Sequence, residues 1–391
     1  MAVLVGSLLT SACTSGPEGA PPGDAGASSG VPSTSAQSPA GPGSARPEST
    51  LLLPKASSSA EREIDEEVAS ALQERFATPG YRQLRSVLVL ADGRTVLERY
   101  YHGDQSDYHH VWSVTKSVMS TLIGIALAQG KLQGVEQTLE ELLPAHAGSM
   151  TSAVAGTTLG QVLTMTGGFG ADPGQSPTPV TDWVAEILGE PYSKPGEGFH
   201  YANGGSHLLS AILVQATGMS TLDYAREVLF DPLEIPSTPA YEPAATREDW
   251  ESFDESFEAA DFAWAVDPQG IHIAPYGLRL RAQDLAKIGL LYLNKGRWQD
   301  QQLVPENWVG EATRAQVDTG GGQYTTEYGY QWWVTTSDGA PAYAALGSGG
   351  QVLEVVPSRD LVVVFQLDGA GGGLGRMLPV VDSLIAPAYK P

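Results

Sequence analysis

A serine and a lysine three residues apart are the pair in this chain best suited to chemistry. They lie in the segment WSVTK, residues 112–116, just before the apolar run 118–127, and no other lysine has a serine three residues before it. If this run is a helix, Ser113 stands at its start and Lys116 lies one turn later on the same face. A hydroxyl at a helix N-terminus beside a poorly solvated amine can act as a nucleophile. Ser113 is therefore the candidate nucleophile, and Lys116 is its candidate base.

A lysine serves as a base at neutral pH only if its amine is uncharged. With its ordinary pKa of about 10.4 a lysine is protonated, but burial in an apolar helix favours the neutral form. Val114, Val118 and Met119 give Lys116 apolar neighbours. The alternative is a lysine whose amine reaches the surface. Since the chain has seven lysines, a serine at this spacing arises by chance about as often as not.

A tyrosine followed two residues later by an asparagine occurs twice, at Tyr201 with Asn203 and at Tyr292 with Asn294. A phenol can shuttle a proton when nearby cations lower its pKa, and an asparagine can hydrogen-bond the nucleophile, the lysine or a substrate amide. Tyr292 falls within the apolar helical period of residues 283–293, which is typical of core packing. Tyr201 lies in a turn rich in proline and glycine, and catalytic groups are commonly placed on such loops. We therefore expect Tyr201 and Asn203 in the site.

A glycine-rich segment, GSGGQ at residues 347–351, precedes an apolar strand near the end of the chain. Glycines such as Gly347 and Gly349 at a strand edge let a substrate backbone approach closely. The backbone N–H of Ser348 could then bind the oxyanion together with that of Ser113. A plain glycine turn is the alternative. Three aromatic residues are candidates for lining the acyl pocket: Trp112, Phe169 and Tyr276.

These three elements, in this order, resemble the marks of the serine β-lactamase and penicillin-binding-protein superfamily. The resemblance covers roughly residues 57–391, and residues 163–168, 229–233 and 277–286 are similar to its class C β-lactamase and esterase branch. The glycine segment looks most like that of the 6-aminohexanoate-dimer hydrolase and carboxylesterase group. The resemblance implies the following roles: Ser113 as nucleophile, Lys116 as base, Tyr201 as proton shuttle, Asn203 as polar support, and the Ser348 N–H as oxyanion donor.

One position departs from the superfamily pattern. Residues 345–347 read Ala-Leu-Gly where relatives have Lys-Thr-Gly, so the cation that holds a β-lactam carboxylate is missing. The expected function is therefore a serine hydrolase that cleaves a small amide or ester through an acyl-enzyme, similar to a 6-aminohexanoate-oligomer hydrolase or a carboxylesterase. A β-lactamase or D,D-peptidase is the alternative enzyme. A lipid-tethered binding protein on an inactive hydrolase scaffold is the alternative without catalysis.

The resemblance implies an α/β (α+β) fold of the β-lactamase/transpeptidase type. An antiparallel sheet built from both chain ends and flanked by helices would form one domain, from residues 57–133 and 261–391, with a mostly helical domain, 134–260, inserted. The patterns that support it predict helices over residues 57–76, 113–129, 207–216 and 283–293, a hairpin of 85–91 and 95–101, and strands over 328–335, 351–356 and 360–366.

The N-terminal residues resemble a bacterial lipoprotein signal. A short apolar run at residues 3–9 and small residues at 10–12 precede Cys13, which would be lipidated and become the mature N-terminus. Residues 14–56 are mostly glycine, proline, serine and alanine, a composition typical of a disordered tether. We therefore expect an exported protein anchored to a bacterial membrane by lipid. An ordinary secretory signal, or none, is the alternative.

Charge and cysteine content limit the partners. The net charge of −23 argues against nucleic acid or anionic lipid as a partner of the folded part. Cys13 is the single cysteine, so an internal disulfide or a cysteine-based metal site is excluded. The adjacent His109 and His110 cannot both face one metal from a strand or helix. No metal or cofactor is expected, and the expected partners are a small amide or ester substrate and, through the lipid anchor alone, the membrane. The oligomeric state is left open.

Overall fold

Asp92 and Gly93 form the turn of the first hairpin. Their φ angles are 49° and 69°, the positive values that two-residue hairpin loops favour because they match the twist of the strands. The turn joins β1 (Leu84–Ala91) to β2 (Arg94–Tyr100), which pair antiparallel. The hairpin predicted from the sequence is confirmed.

The computed structural model describes residues 58–176, 178–189, 191–245, 250–321, 325–369 and 373–390. The predicted signal with Cys13 and the predicted tether, residues 14–56, lie outside this part of the chain. The further strands are β3 (His109–His110), β4 (Ala263–Trp264), β5 (Leu278–Leu280), β6 (Arg297–Trp298), β7 (Gln301–Gln302), β8 (Val317–Asp318), β9 (Glu327–Tyr328), β10 (Trp333–Ser337), β11 (Ala340–Gly347), β12 (Gln351–Val356) and β13 (Leu361–Leu367).

Among the described residues, five α-helices have ten to eighteen residues, one has eight, and the others are shorter. They are α1 (Ser59–Phe76), α2 (Val114–Ala128), α3 (Leu139–Leu142), α4 (Ser152–Ala155), α5 (Leu159–Leu163), α6 (Trp183–Gly189), α7 (Asn203–Thr217), α8 (Thr221–Ala225), α9 (Trp250–Ala259), α10 (Ala282–Leu293), α11 (Glu306–Thr313) and α12 (Leu378–Val380).

The largest sheet in the described residues has eight strands in the order β2-β1-β13-β12-β11-β10-β9-β8. Every neighbouring pair in it is antiparallel. Because β1 pairs with β2 on one side and with β13, from the other end of the chain, on the other side, both ends of the folded chain build one sheet, as the sequence predicted. Between these ends, the elements named from α3 to α9 in the described residues are all helices. A separate helical domain over residues 134–260 stays a prediction.

The sheet is buried on both faces, because alternate residues of a strand point to opposite sides. On β1, Val87 belongs to a buried cluster with Leu72 of α1, whereas Leu88 belongs to a second cluster with Met119 of α2. Helix α1 begins after the N-cap Ser58, whose side chain accepts from the N–H of Glu61, so it starts two residues later than predicted. Helix α2 is buried over residues 114–126 and is the central helix that the sequence predicted.

The structure differs from the sequence prediction at three further places. The strand predicted over 328–335 is two strands, β9 and β10, separated by a turn in which Gln331 has a φ of 60°. Helix α7 begins at Asn203, four residues earlier than predicted, so the glycines after Asn203 are helical. Strand β11 was not predicted at all. Within the described residues, no helix is both long and apolar enough to cross a bilayer.

Candidate active site

The first turn of α2 carries the candidate nucleophile and the candidate base. Ser113 is the N-cap residue, with φ −69° and ψ −2°, and its Oγ lies 3.0 Å from Lys116 Nζ. The preceding residue, Trp112, has a φ of 48°, the left-handed conformation that turns the chain sharply into the helix. The structure therefore places the two groups as the three-residue spacing predicted.

Lys116 is 1% exposed, and its amine is surrounded by oxygen atoms. Besides Ser113 Oγ, Nζ donates to Asn203 Oδ1 at 2.8 Å and to the carbonyl oxygen of Pro275 at 3.0 Å. Burial lowers the pKa of Lys116 to about 7, although the nearby Asp172 carboxylate acts to raise it. Neutral and protonated amines are therefore both accessible near neutral pH.

The two carbonyl oxygens determine where the lone pair of the neutral amine points. A neutral amine has two N–H bonds and one lone pair. Because the oxygens of Asn203 and Pro275 can only accept, they take both N–H bonds. The lone pair is then left for Ser113 Oγ, 3.0 Å away, whose hydroxyl must donate. This arrangement can remove a proton from Ser113.

Tyr201 lies two residues before the start of α7, and its ring is beside the same amine. The ring centroid is 4.8 Å from Lys116 Nζ, and the ring stacks on Trp333 with centroids 5.4 Å apart and planes at 25°. The other tyrosine of this pattern, Tyr292, is buried in α10, where its hydroxyl contacts Thr121 Oγ1 at 2.9 Å. The structure thus brings Tyr201, and not Tyr292, into contact with Lys116.

Asn203 connects Lys116 to an acid that the sequence reasoning missed. Its Nδ2 donates to Asp172 Oδ2 at 2.7 Å, and the hydroxyl of Tyr276 lies 3.4 Å from Asp172 Oδ1. Burial and the Asp172 carboxylate raise the pKa of Tyr276 well above its usual value, so its phenol stays protonated and donates. Asp172 was missed because a lone acid in a glycine-rich loop carries no motif.

Two glycines of α7 allow the loop that carries Asp172 to approach the helix. A Cβ on Gly204 would lie 2.0 Å from the carbonyl oxygen of Ala171, and one on Gly205 would lie 3.1 Å from the Phe169 ring. Phe169 itself is 3% exposed, so it packs under this loop. Its predicted place in an acyl pocket stays a prediction.

The residues around Tyr276 hold the loop that supplies the Pro275 carbonyl. The Nε2 of His110 donates to the carbonyl oxygen of Tyr276, and the His110 ring stacks on Trp112 with centroids 4.0 Å apart. Burial lowers the pKa of His110 to about 3 and that of His109 to about 4, so both imidazoles are neutral at pH 7. The acyl-pocket roles of Trp112 and Tyr276 stay predictions.

The glycine segment meets the chain just before the nucleophile. A Cβ on Gly347 would lie 2.4 Å from the carbonyl oxygen of Val111, so only glycine fits at position 347. Val111 lies two residues before Ser113. The segment continues as a 3₁₀ turn, Ser348–Gly350, in which Gly349 has a φ of 78°. This contact brings the end of β11 beside the start of α2. The oxyanion role of the Ser348 N–H stays a prediction.

The strand position that carries a cation in many superfamily members is apolar here. Ala345 and Leu346 are 0% and 1% exposed and belong to the two core clusters on opposite faces of the sheet. Both side chains are buried and apolar, so neither could bind a carboxylate. The cation that the sequence lacks at residues 345–347 is therefore not replaced by the side chain of Ala345 or Leu346 in the structure.

Known proteins with related sequences support assigning this chain to a family of hydrolases. A profile of the beta-lactamase family matches residues 68–380. The 6-aminohexanoate-dimer hydrolase of Paenarthrobacter ureafaciens is 26% identical over 300 residues, which cover 70% of this chain and 69% of the relative. The family resemblance seen in the motifs is thus confirmed.

Solved structures share the fold at lower identity. EstCE1, a hydrolase with promiscuous acyltransferase activity, has a TM-score of 0.66 at 15% identity, over 85% of this chain and all (100%) of that one. The octameric penicillin-binding protein homologue from Pyrococcus abyssi has a TM-score of 0.61 at 17% identity, over 83% of this chain and 76% of that one. These likenesses confirm the β-lactamase/transpeptidase-like fold. Since the family profile spans most of the chain, this protein belongs to the beta-lactamase family and is a hydrolase of that superfamily.

Proposed function

We propose that this protein cleaves a small amide or ester through an acyl-enzyme on Ser113. The observation that supports this most strongly is the environment of the Lys116 amine. Lys116 is 1% exposed, and its amine donates to two carbonyl oxygens. The lone pair of the neutral amine is then directed at Ser113 Oγ, 3.0 Å away. A base whose pKa lies close to the working pH is the most effective kind.

The proposed reaction has two half-reactions. Ser113 Oγ transfers its proton to Lys116 Nζ and bonds to the substrate carbonyl carbon, while the N–H groups of Ser113 and Ser348 hold the oxyanion. The bond to the leaving nitrogen or oxygen then breaks, and Tyr201 passes the proton from Lys116 to the leaving group. In the second half-reaction, water gives a proton to Lys116 and attacks the acyl carbon. The bond to Oγ breaks, the proton returns to Oγ, and an acid is released.

The proposed substrates are open-chain amides and esters related to 6-aminohexanoate oligomers or short carboxylic esters. The relative from Paenarthrobacter ureafaciens is named for a 6-aminohexanoate dimer, and EstCE1 is called a hydrolase. The apolar Ala345 and Leu346 on β11 support these substrates over β-lactams, since a β-lactam carboxylate would find no cation there. A β-lactamase or D,D-peptidase remains the second outcome of the test.

A panel of substrates tests the proposal. Full-length protein and a Ser113→Ala variant are incubated with short-chain p-nitrophenyl esters, linear 6-aminohexanoate amides and penicillins. We expect turnover of at least one ester or linear amide that is lost in Ser113→Ala. Penicillin acylation with slow release, without ester or amide turnover, would favour the D,D-peptidase. No Ser113-dependent reaction with any of the three classes would favour a binding protein on an inactive scaffold.

A further inference from the structure

Asp172 is the acidic residue that lies next to the proposed catalytic groups without touching the reacting atoms. Its Oδ2 accepts from Asn203 Nδ2 at 2.7 Å and from Gln175 Nε2 at 3.0 Å. Its Oδ1 lies 3.4 Å from the Tyr276 hydroxyl. Three donors thus converge on one half-buried carboxylate at the edge of the site.

The chemistry of a carboxylate fixes the orientation of the Asn203 amide. An ionised carboxylate can only accept hydrogen bonds, whereas an amide has a donor end and an acceptor end. Asp172 therefore holds the Nδ2 end, and the Oδ1 end must face Lys116, as it does at 2.8 Å. A neutral amine alone would not fix this orientation, because its lone pair could accept from Nδ2.

The orientation of this amide decides whether the lone pair of Lys116 is available. In the reversed orientation, Nδ2 would donate to the lone pair that the Ser113 hydroxyl otherwise occupies. Lys116 could then no longer accept the serine proton. The contact from Asp172 to Asn203 thus selects the arrangement in which Lys116 can act as a base.

We propose that Asp172 is a positioning residue for the acyl-transfer reaction, acting through Asn203 to keep the Lys116 lone pair directed at Ser113. The proposal rests on the proposed function, because it concerns the same serine and lysine. Asp172 does not touch the substrate carbonyl or exchange a proton in either half-reaction. Asp172 makes two contributions: it fixes the direction of one hydrogen bond, and it places one negative charge near Lys116.

The charge has an effect that can be separated from the hydrogen bond. The titratable groups that face Lys116 are Asp172 and Tyr201, with Tyr276 behind Asp172. The negative charge of Asp172 favours the protonated amine, against the effect of burial. Removing this charge should therefore move the acid limb of the pH–rate profile to lower pH, even while the maximal rate falls.

The test compares two substitutions of Asp172 with opposite properties. Asp172→Asn keeps the shape but can donate as well as accept, so it no longer fixes the orientation of the Asn203 amide. Asp172→Glu changes the shape but remains an acceptor. At a pH above the acid limb, we expect kcat/KM of Asp172→Asn to fall roughly 10- to 100-fold, the factor for one charge-assisted hydrogen bond. Asp172→Glu should lose less, with its acid limb closer to that of the wild type. A role in packing alone predicts the reverse order, since the isosteric variant would then be the milder one.

Glu186→Gln is the matched control for charge. Glu186 is exposed on α6 and lines the same surface cavity as Ala171, the neighbour of Asp172. This variant also removes one negative charge, and we expect its kcat/KM and acid limb to equal those of the wild type. A shift as large as that of Asp172→Asn would assign the effect to net charge and overturn the proposal.

A double-mutant cycle with Asn203→Ala tests whether Asp172 acts through Asn203. We expect Asp172→Asn to cause no further loss of kcat/KM in the Asn203→Ala background at high pH, and independent losses would overturn the proposal. Unfolding midpoints are recorded for each variant, and Asp172→Ser, whose hydroxyl also donates, replaces Asp172→Asn if that variant does not fold. If the wild type has no Ser113-dependent turnover, the proposed function fails and this inference fails with it. If the wild type is active and Asp172→Asn matches it, the inference alone fails.

Discussion

Lys116 carries its amine into a nearly solvent-free position, and this sets the pH at which the proposed base works. Burial lowers its pKa from the ordinary 10.5 to about 7. Because only the neutral amine can accept the Ser113 proton, kcat/KM for an uncharged ester should fall as the pH drops through about 7. A pH–rate profile from about pH 5 to about pH 9 measures this. A profile that stays flat across this range, with an uncharged substrate, contradicts the assignment of Lys116.

Tyr201 is expected to matter most where the leaving group needs a proton. Tyr201→Phe should lower kcat/KM for a linear amide by roughly 100-fold or more. It should lower kcat/KM for a p-nitrophenyl ester much less, because p-nitrophenolate leaves without protonation. The ratio of amide to ester rates in wild type and variant is the measurement.

Tyr292→Phe is the matched control, since Tyr292 has the same sequence pattern but a buried place in α10. It loses the contact of its hydroxyl with Thr121, so about 1 kcal/mol of stability should be lost with no change in the amide-to-ester ratio. If Tyr201→Phe lowered kcat/KM equally for the amide and the ester, this result would contradict the proton-shuttle role of Tyr201.

The sequence was enough to predict the residues whose type and spacing form a motif. Ser113, Lys116, Tyr201 and Asn203 are side by side in the structure, as their order along the chain implied. The carbonyl of Pro275 could not be predicted, because every residue has a carbonyl and only the fold brings this one to the amine.

At the scale of single elements, α2, the helix that carries Lys116, approaches α11 closely at Gly124. A Cβ on Gly124 would lie 2.2 Å from the Trp308 ring, which is itself held by a hydrogen bond from Nε1 to the Ser120 carbonyl at 3.1 Å. Gly124→Ala should therefore reduce the free energy of unfolding by about 1–3 kcal/mol through overpacking. This loss at least offsets the gain of about 1 kcal/mol that alanine brings to a helix interior.

Gly310→Ala in α11 is the control for this prediction. No heavy atom lies within 4 Å of a Cβ at this exposed position, so the variant should gain about 0.5–1 kcal/mol from helix propensity alone. Urea unfolding midpoints of both variants give the comparison. The close approach of Trp308 would be refuted if Gly124→Ala were as stabilising as Gly310→Ala.

Elements were predictable where local pattern and tertiary role agree. The hairpin around Asp92 and Gly93 and the apolar helix α2 have strong local signals, and both were predicted. Strand β11, with the sequence APAYAALG, has four alanines and a proline, so its local signal is weak. It forms because β10 and β12 pair with its two edges.

The start of α7 was missed for a related reason. Two glycines after Asn203 indicate a turn by local propensity, but both lie in α7, where Ala171 and Phe169 leave no space for a Cβ. The catalytic candidate Asn203 is therefore the first residue of a helix, although the sequence suggested a loop.

At the scale of the whole molecule, we propose that lipid on Cys13 anchors an exported enzyme to a bacterial membrane through the tether of residues 14–56. Wild-type protein expressed in a bacterium with lipoprotein processing should then partition into the detergent phase of a Triton X-114 extract. Cys13→Ser should partition into the aqueous phase with unchanged activity per molecule. Equal partitioning of the two proteins would refute the anchor.

A single sheet built from both chain ends was predictable, because the hairpin near the start and the strands near the end each need neighbouring strands to pair with. The strand order was not, since the pairing of β1 with β13 depends on contacts that no local pattern encodes. The net charge of −23 gave a limit on partners but no information about the site.

The most direct test of the central claim is labelling of the folded protein with a fluorophosphonate, followed by peptide mapping. The reagent reacts with a serine only when its hydroxyl is activated. The account predicts a single label on Ser113, formed faster as the pH rises through about 7, the pKa of Lys116, and abolished by Lys116→Met. A label elsewhere, or no label on Ser113 in protein shown to be folded, would contradict it.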